Sequence, residues 1–185
     1  METTKQPLIT VVMPSYNGHR FVEQAIDSVL NQTYPNFELL VVDDCSKDNS
    51  LQLIQQKAQN DDRIRVIALE HNAGVANARN VGIKEAKGKF IALLDNDDLW
   101  TEDKLERQLA LANKGADIVY CSYDFIDEQN NSIKKPFIVP QQTNFNKMLA
   151  SSVISCSTSF IKTELMKAHP FNPVSYTHLR AHETA

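Results

Sequence analysis

Three carboxylates crowd into four residues at Asp95-Asn96-Asp97-Asp98, directly after the apolar run Ile91-Ala92-Leu93-Leu94 and before Leu99-Trp100. Like charges that close repel one another, and a cation among them is the arrangement that relieves them best. Hard oxygen donors suit Mg2+ or Mn2+, ions that in turn bridge the phosphates of a nucleotide. The plainer reading is a solvated acidic helix start, because Asp is favoured in a first turn. A second acidic pair, Asp43-Asp44, also closes an apolar run and weighs towards the ion. Tyr16 follows the first apolar run, where its ring can lie on a nucleobase while Asp44 accepts a hydrogen bond from a base N–H. Their structural alternatives are a half-buried loop aromatic and a helix cap. Arg79 sits one turn into a helix after the tight turn His71-Asn72-Ala73-Gly74, placed to pair with a diphosphate or with the Asp95 cluster, or to make a surface ion pair.

These groups need a scaffold that brings distant strand ends together, and the hydrophobic pattern supplies one. Short β-rich apolar runs alternate with stretches of helical period, the mark of a parallel sheet covered by helices. Strands are expected at residues 8–13, 37–42, 64–69, 90–94 and 117–122. Helices are expected around residues 21–30, 51–58, 75–86 and 102–113, with Gly88 closing the third. Beyond residue 122 the pattern loosens: a polar turn at 127–132 suggests a hairpin, and a further strand falls near 157–161. Three of the strands end in Pro14-Ser15-Tyr16-Asn17, Asp43-Asp44 and the Asp95 cluster, and open α/β sheets bind ligands beyond the carboxyl ends of their strands.

Composition narrows the classes. A chain of 185 residues with 42% apolar content fits one core, and a net charge of −4 without a basic block argues against nucleic acid as a partner. Cys45, Cys121 and Cys156 follow no zinc or CxxC spacing and read as reduced thiols. No apolar run reaches the ~20 residues of a spanning helix, so a cytoplasmic protein is expected, with the inner face of the membrane left open. His178 and His182 share helical spacing but lack a third ligand. Residues 173–185 break the preceding pattern and are expected to be a non-native tail.

Taken together, Val11 to Asn17, Val41 to Asp48, Asn72-Ala73-Gly74 through Arg79-Asn80-Val81-Gly82, and Leu93 to Asp98 resemble the motifs of the glycosyltransferase family 2 catalytic domain. The resemblance spans residues 7–172 and implies a GT-A fold, a Rossmann-like, mostly parallel sheet flanked by helices. It implies inverting transfer from a nucleotide-diphosphate sugar, UDP-linked above all, to a saccharide or lipid-linked acceptor in cell-surface polysaccharide or glycolipid synthesis. Tyr16 and Asp44 would contact the base, Asp95 the ribose side and Asp97 the metal with Asp95, while Asn96, the Pro14 backbone and Arg79 complete the nucleotide pocket. The family's catalytic base belongs to an acidic pair beyond a helix and turn like residues 162–172. No residue here matches that pair, and His169 is not assigned to it, so residues 1–172 are expected to be an incomplete domain.

Two other enzyme classes fit less well. A dinucleotide oxidoreductase wants a GxGxxG turn after its first strand, and Met13-Pro14-Ser15-Tyr16-Asn17-Gly18 is not one. An aspartyl phosphohydrolase would suit Asp95-x-Asp97, yet Asp43-Asp44 lacks a matching downstream lysine motif. A non-catalytic nucleotide-binding module remains open.

Overall fold

A computed structural model describes residues 6–143 and 154–173 of the chain. His178, His182 and the expected tail after Pro173 lie outside the described residues. Six strands form one sheet in the order β3-β2-β1-β4-β6-β5. They are β1 Ile9–Ser15, β2 Phe37–Asp43, β3 Ile64–Ala68, β4 Phe90–Leu93, β5 Ile118–Val119 and β6 Phe160–Lys162. β1 pairs in parallel with β2 and β4, and β2 with β3; β6 runs antiparallel to both β4 and β5. The sheet is thus mostly parallel, as the alternating pattern requires.

Side-chain alternation divides the core into two layers. Ile9, Val11 and Met13 of β1 and Phe90 and Ala92 of β4 join Ile26, Val29, Ile54 and Leu105 on one face. These belong to α1 Val22–Leu30, α2 Ser50–Asn60 and α4 Lys104–Ala112. Val12, Ile91 and Leu93 point the other way, to Ile83 of α3 Val75–Glu85 and Met166 of α5 Thr163–Ala168. With both faces covered, β1 is buried at every position, which is why it reads as a mostly apolar run, interrupted by Thr10.

Three expectations need correcting. α3 ends at Glu85 with Ala86 already extended, so Gly88 does not stop it. Instead the Gly88 backbone abuts β1: a Cβ there would lie 2.5 Å from the Thr10 nitrogen. The strand expected at 117–122 is only Ile118–Val119, because its partner β6 has three residues and β5 sits at the sheet edge. The segment near 157–161 is a 3-10 turn, Cys156–Thr158, followed by β6. The hairpin is present, with bridges between Tyr123 and Phe137 and between Ile126 and Ser132. The three cysteines are free.

Lys104 opens α4 from inside the protein, 6% exposed, its ammonium 3.9 Å from the centre of the Trp100 ring and donating to Gln108 Oε1 at 2.7 Å. Burial pushes its pKa down to about 7 from the usual 10.5. Between those values the unfolded chain binds more protons than the folded one, so stability rises with pH across that window. Thermal melts from pH 7 to 10 should show a slope of up to about 1.4 kcal/mol per pH unit from this group. Lys104→Met should flatten the slope, and an identical slope in the variant would remove Lys104 as its source.

Candidate functional site

The carboxyl ends of β1, β2 and β4, neighbours in the sheet, bring the acidic and aromatic candidates to one edge. Pro14 and Ser15 close β1, and Tyr16 stands just beyond it, 46% exposed, its ring free to be covered. Asn17 and Cys45, at φ 50° and 60°, turn the chain sharply after β1 and β2. The two turns interlock: Asn17 N–H donates to Ser46 Oγ at 3.0 Å, Lys47 N–H to Asn17 Oδ1 at 2.8 Å and Gly18 N–H to Ser50 Oγ at 2.8 Å. Buried Asp43 takes the Ser46 amide at 3.0 Å and so fixes the turn at Cys45.

Asp44 has a structural task. It is 2% exposed, and its two oxygens accept the amides of Ala73 and Gly74 at 2.7 and 2.8 Å, holding the turn that leads into α3. That turn aims Arg79 at the site. Arg79 is 3% exposed and donates to Asp95 Oδ1 at 2.5 Å. Of the partners open to it in the sequence, the structure therefore gives Arg79 the Asp95 cluster, from a buried position and not as a surface pair. Its guanidinium also lies 5.4 Å from the Phe171 ring centre.

Asn96 leans back over β1, donating to Ser15 Oγ at 3.2 Å. Gly18 permits this, since a Cβ there would fall 1.9 Å from Asn96 Nδ2. Asp97 and Asp98 follow on the exposed loop. Although the residue as a whole is exposed, desolvation at its carboxyl pushes Asp98 above the usual carboxylate range, and the charges of Asp97 and Asp95 add to this, against a hydrogen bond with Ser157. The three carboxylates thus stand close enough for their charges to act on one another. A cleft of about 230 Å3 opens beside Asp97, between Phe21 and Gln24 of the α1 entry and the hairpin residues Ile126 to Asn130. A larger cleft, about 500 Å3, lies at the opposite end of β4 around Lys89, Phe90 and Lys162, remote from these carboxylates. Among the described residues, no three His, Cys, Asp or Glu side chains form a ready-made metal cage.

Two contributors escaped the reading of the sequence. Ser157 accepts the Asp95 amide N–H on its Oγ at 3.0 Å and the Trp100 indole N–H on its carbonyl at 2.8 Å, so the 3-10 turn supports the acidic loop from behind. Asn80 donates to the Phe171 carbonyl at 2.8 Å and accepts the Phe171 amide at 2.9 Å. This side chain imitates a strand partner and ties the chain after α5 to the helix that carries Arg79. A polar residue beside Arg79 inside a packed helix was the available signal.

Comparison with known proteins fits this layout. The family model for glycosyl transferase family 2 matches residues 10–169. WfgD of Escherichia coli, named UDP-Glc:alpha-D-GlcNAc-diphosphoundecaprenol beta-1,3-glucosyltransferase, is 40% identical over 91% of this chain and 64% of its own length. TuaG of Bacillus subtilis, named as a teichuronic acid biosynthesis glycosyltransferase, is 36% identical over 88% of this chain and 65% of its own. The chain thus spans less than two thirds of either relative. Among solved structures, S. aureus TarS in complex with UDP-GlcNAc superposes with a TM-score of 0.71 at 29% identity, covering 86% of this chain and 46% of TarS. The strand-end carboxylates, the buried Arg79 and the sheet order thus sit in a chain that belongs to glycosyltransferase family 2.

Proposed function

We propose that the described residues form the donor-binding part of an inverting glycosyltransferase that moves a sugar from a UDP-sugar to a hydroxyl of a lipid-linked saccharide in cell-surface polysaccharide synthesis. The observation that carries this is the gathering of Tyr16, the Arg79–Asp95 pair and Asp97 on one edge of three neighbouring strands. The E. coli relative's name, with its UDP-glucose donor and diphosphoundecaprenol acceptor, and the UDP-GlcNAc in TarS support the choice of donor and acceptor.

Tyr16 offers the base an exposed ring, with the Pro14 backbone beside it. Asp44 sets the turn at the pocket wall, Asn96 closes over Ser15, and Arg79 holds the Asp95 carboxylate in one orientation towards the ribose. Asp97, with Asp95, would hold Mg2+ or Mn2+. The crowded negative charge and oxygen donors suit such an ion, whose remaining ligands would be phosphate oxygens and water. Bound there, the ion would neutralise charge developing on the departing diphosphate. Transfer also needs a carboxylate to take the acceptor proton, and we assign that task to none of the described residues.

Calorimetric titration with UDP and Mn2+ tests the base platform. Tyr16→Ala should weaken binding by roughly 1–3 kcal/mol, the usual worth of base–aromatic stacking, while Tyr16→Phe changes little. Unchanged affinity in Tyr16→Ala would move the base elsewhere, and a loss in Tyr16→Phe as large as in Tyr16→Ala would make the hydroxyl the contact.

A further inference from the structure

The hairpin at residues 122–139 carries a surface that donor binding does not use. At its root the Tyr123 ring stacks on Phe137 at 5.1 Å and meets Phe125 edge-on at 5.4 Å. Most acidic groups of the outgoing arm are engaged: Glu128 pairs with Arg20 at 2.6 Å, Asp127 accepts the amides of Gln129 and Asn131 at 2.9 Å each, and Asp124 accepts the Phe125 amide.

The returning arm differs. Every residue from 131 to 138 is exposed, including Ile133 at 56% and Ile138 at 74%, with Phe137 at 37%. Lys134 and Lys135 stand between these apolar side chains, the Lys134 ammonium 5.0 Å from the Phe125 ring centre. No acidic residue occurs from 129 to 143, in a chain whose net charge is −4. Pro136 and Pro140 lack the N–H that a partner strand would need, so the arm is a poor template for pairing with another chain. Apolar side chains flanked by ammonium groups match the chemistry of an anionic lipid surface, where the former enter the headgroup boundary and the latter meet phosphates.

We propose that this arm docks the protein on an anionic bilayer, with Ile133 and Ile138 entering the interface and Lys134 and Lys135 on lipid phosphates. The same hairpin lines the cleft beside Asp97 through Ile126, Asp127 and Glu128, so docking brings the mouth of the donor site to the membrane. This placement rests on the lipid-linked acceptor reading above.

Flotation with phosphatidylcholine vesicles, with and without about a third phosphatidylglycerol, tests it. The chain should float with the anionic vesicles, at least about fivefold more than with the neutral ones, and the difference should shrink in high salt. Ile133→Ser with Ile138→Ser, and Lys134→Glu with Lys135→Glu, should each lower the floated fraction at least about fivefold. These positions are exposed, and unchanged melting curves will show that both variants fold. A parent chain that stays unbound on both vesicle types, or variants that float like the parent, would overturn the proposal and leave the arm to another part of the protein or a second copy. UDP titration of the same samples separates the readings. Failed flotation with intact UDP binding refutes the docking arm alone, whereas a parent that does not bind UDP refutes the donor site.

Discussion

Asp97→Ala is expected to remove the metal-dependent part of UDP binding while leaving the fold intact. Asp97 is exposed on the loop after β4, and no packing depends on its side chain, so its melting temperature should stay close to the parent's. The binding loss should be large because a divalent ion ~2 Å from a carboxylate is attracted by roughly 4 kcal/mol even at the dielectric constant of water. In titrations with UDP, Mn2+ should raise the affinity of the parent chain, and that enhancement should fall at least about tenfold in Asp97→Ala. Asp98→Ala should be milder. Its carboxyl is engaged with the Ser157 side chain, so it has less oxygen free for an ion than exposed Asp97. The order of these two variants matters more than either value: a larger loss in Asp98→Ala would exchange the roles of the two residues.

How much of this was legible in the sequence depends on how far each contact reaches. β1, β2 and β4 announce themselves because a strand buried on both faces must be mostly apolar, and the carboxylates that follow them then share one edge by topology alone. β6 is different. Three residues are too few to show a period, and the strand's place is set by pairing Ile161 with Ile91, seventy residues earlier. The turn before β6 supports Asp95 and Trp100 through Ser157, a residue type whose mere presence in a Ser- and Thr-rich stretch signals nothing. Arg79 was visible as a helix residue near the site, yet its burial follows from the close seat of α3 on the sheet. Gly82 lies so near Val12 that a Cβ would come within 2.4 Å of it, and this draws the helix in and Arg79 with it. Gly88 was misread for a related reason: a glycine shortly after a helix usually ends it, whereas here a neighbouring strand needs the space.

Asp44 separates what a motif suggests from what a fold requires, and Asp44→Asn should show which governs. Both of its oxygens accept backbone amides from the 72–74 turn while the residue itself is almost wholly buried. Asparagine fits the same space but turns one acceptor into a donor, so one of the two amides would face an N–H group. A buried amide left without its acceptor costs about 1–3 kcal/mol. The variant should therefore unfold at lower denaturant concentration by that amount, with the slope of the transition unchanged. UDP affinity should fall with it, because the same turn aims α3, and α3 aims Arg79 at Asp95. If Asp44 served the base alone, the substitution would leave stability untouched and weaken uridine and UDP equally. If the turn governs, the loss should be greater for UDP with Mn2+ than for uridine, since the displaced Arg79 orients Asp95, which is proposed to share the ion with Asp97. Denaturation with the two titrations thus distinguishes the cases, and a stable variant that loses uridine and UDP binding alike would return Asp44 to the base.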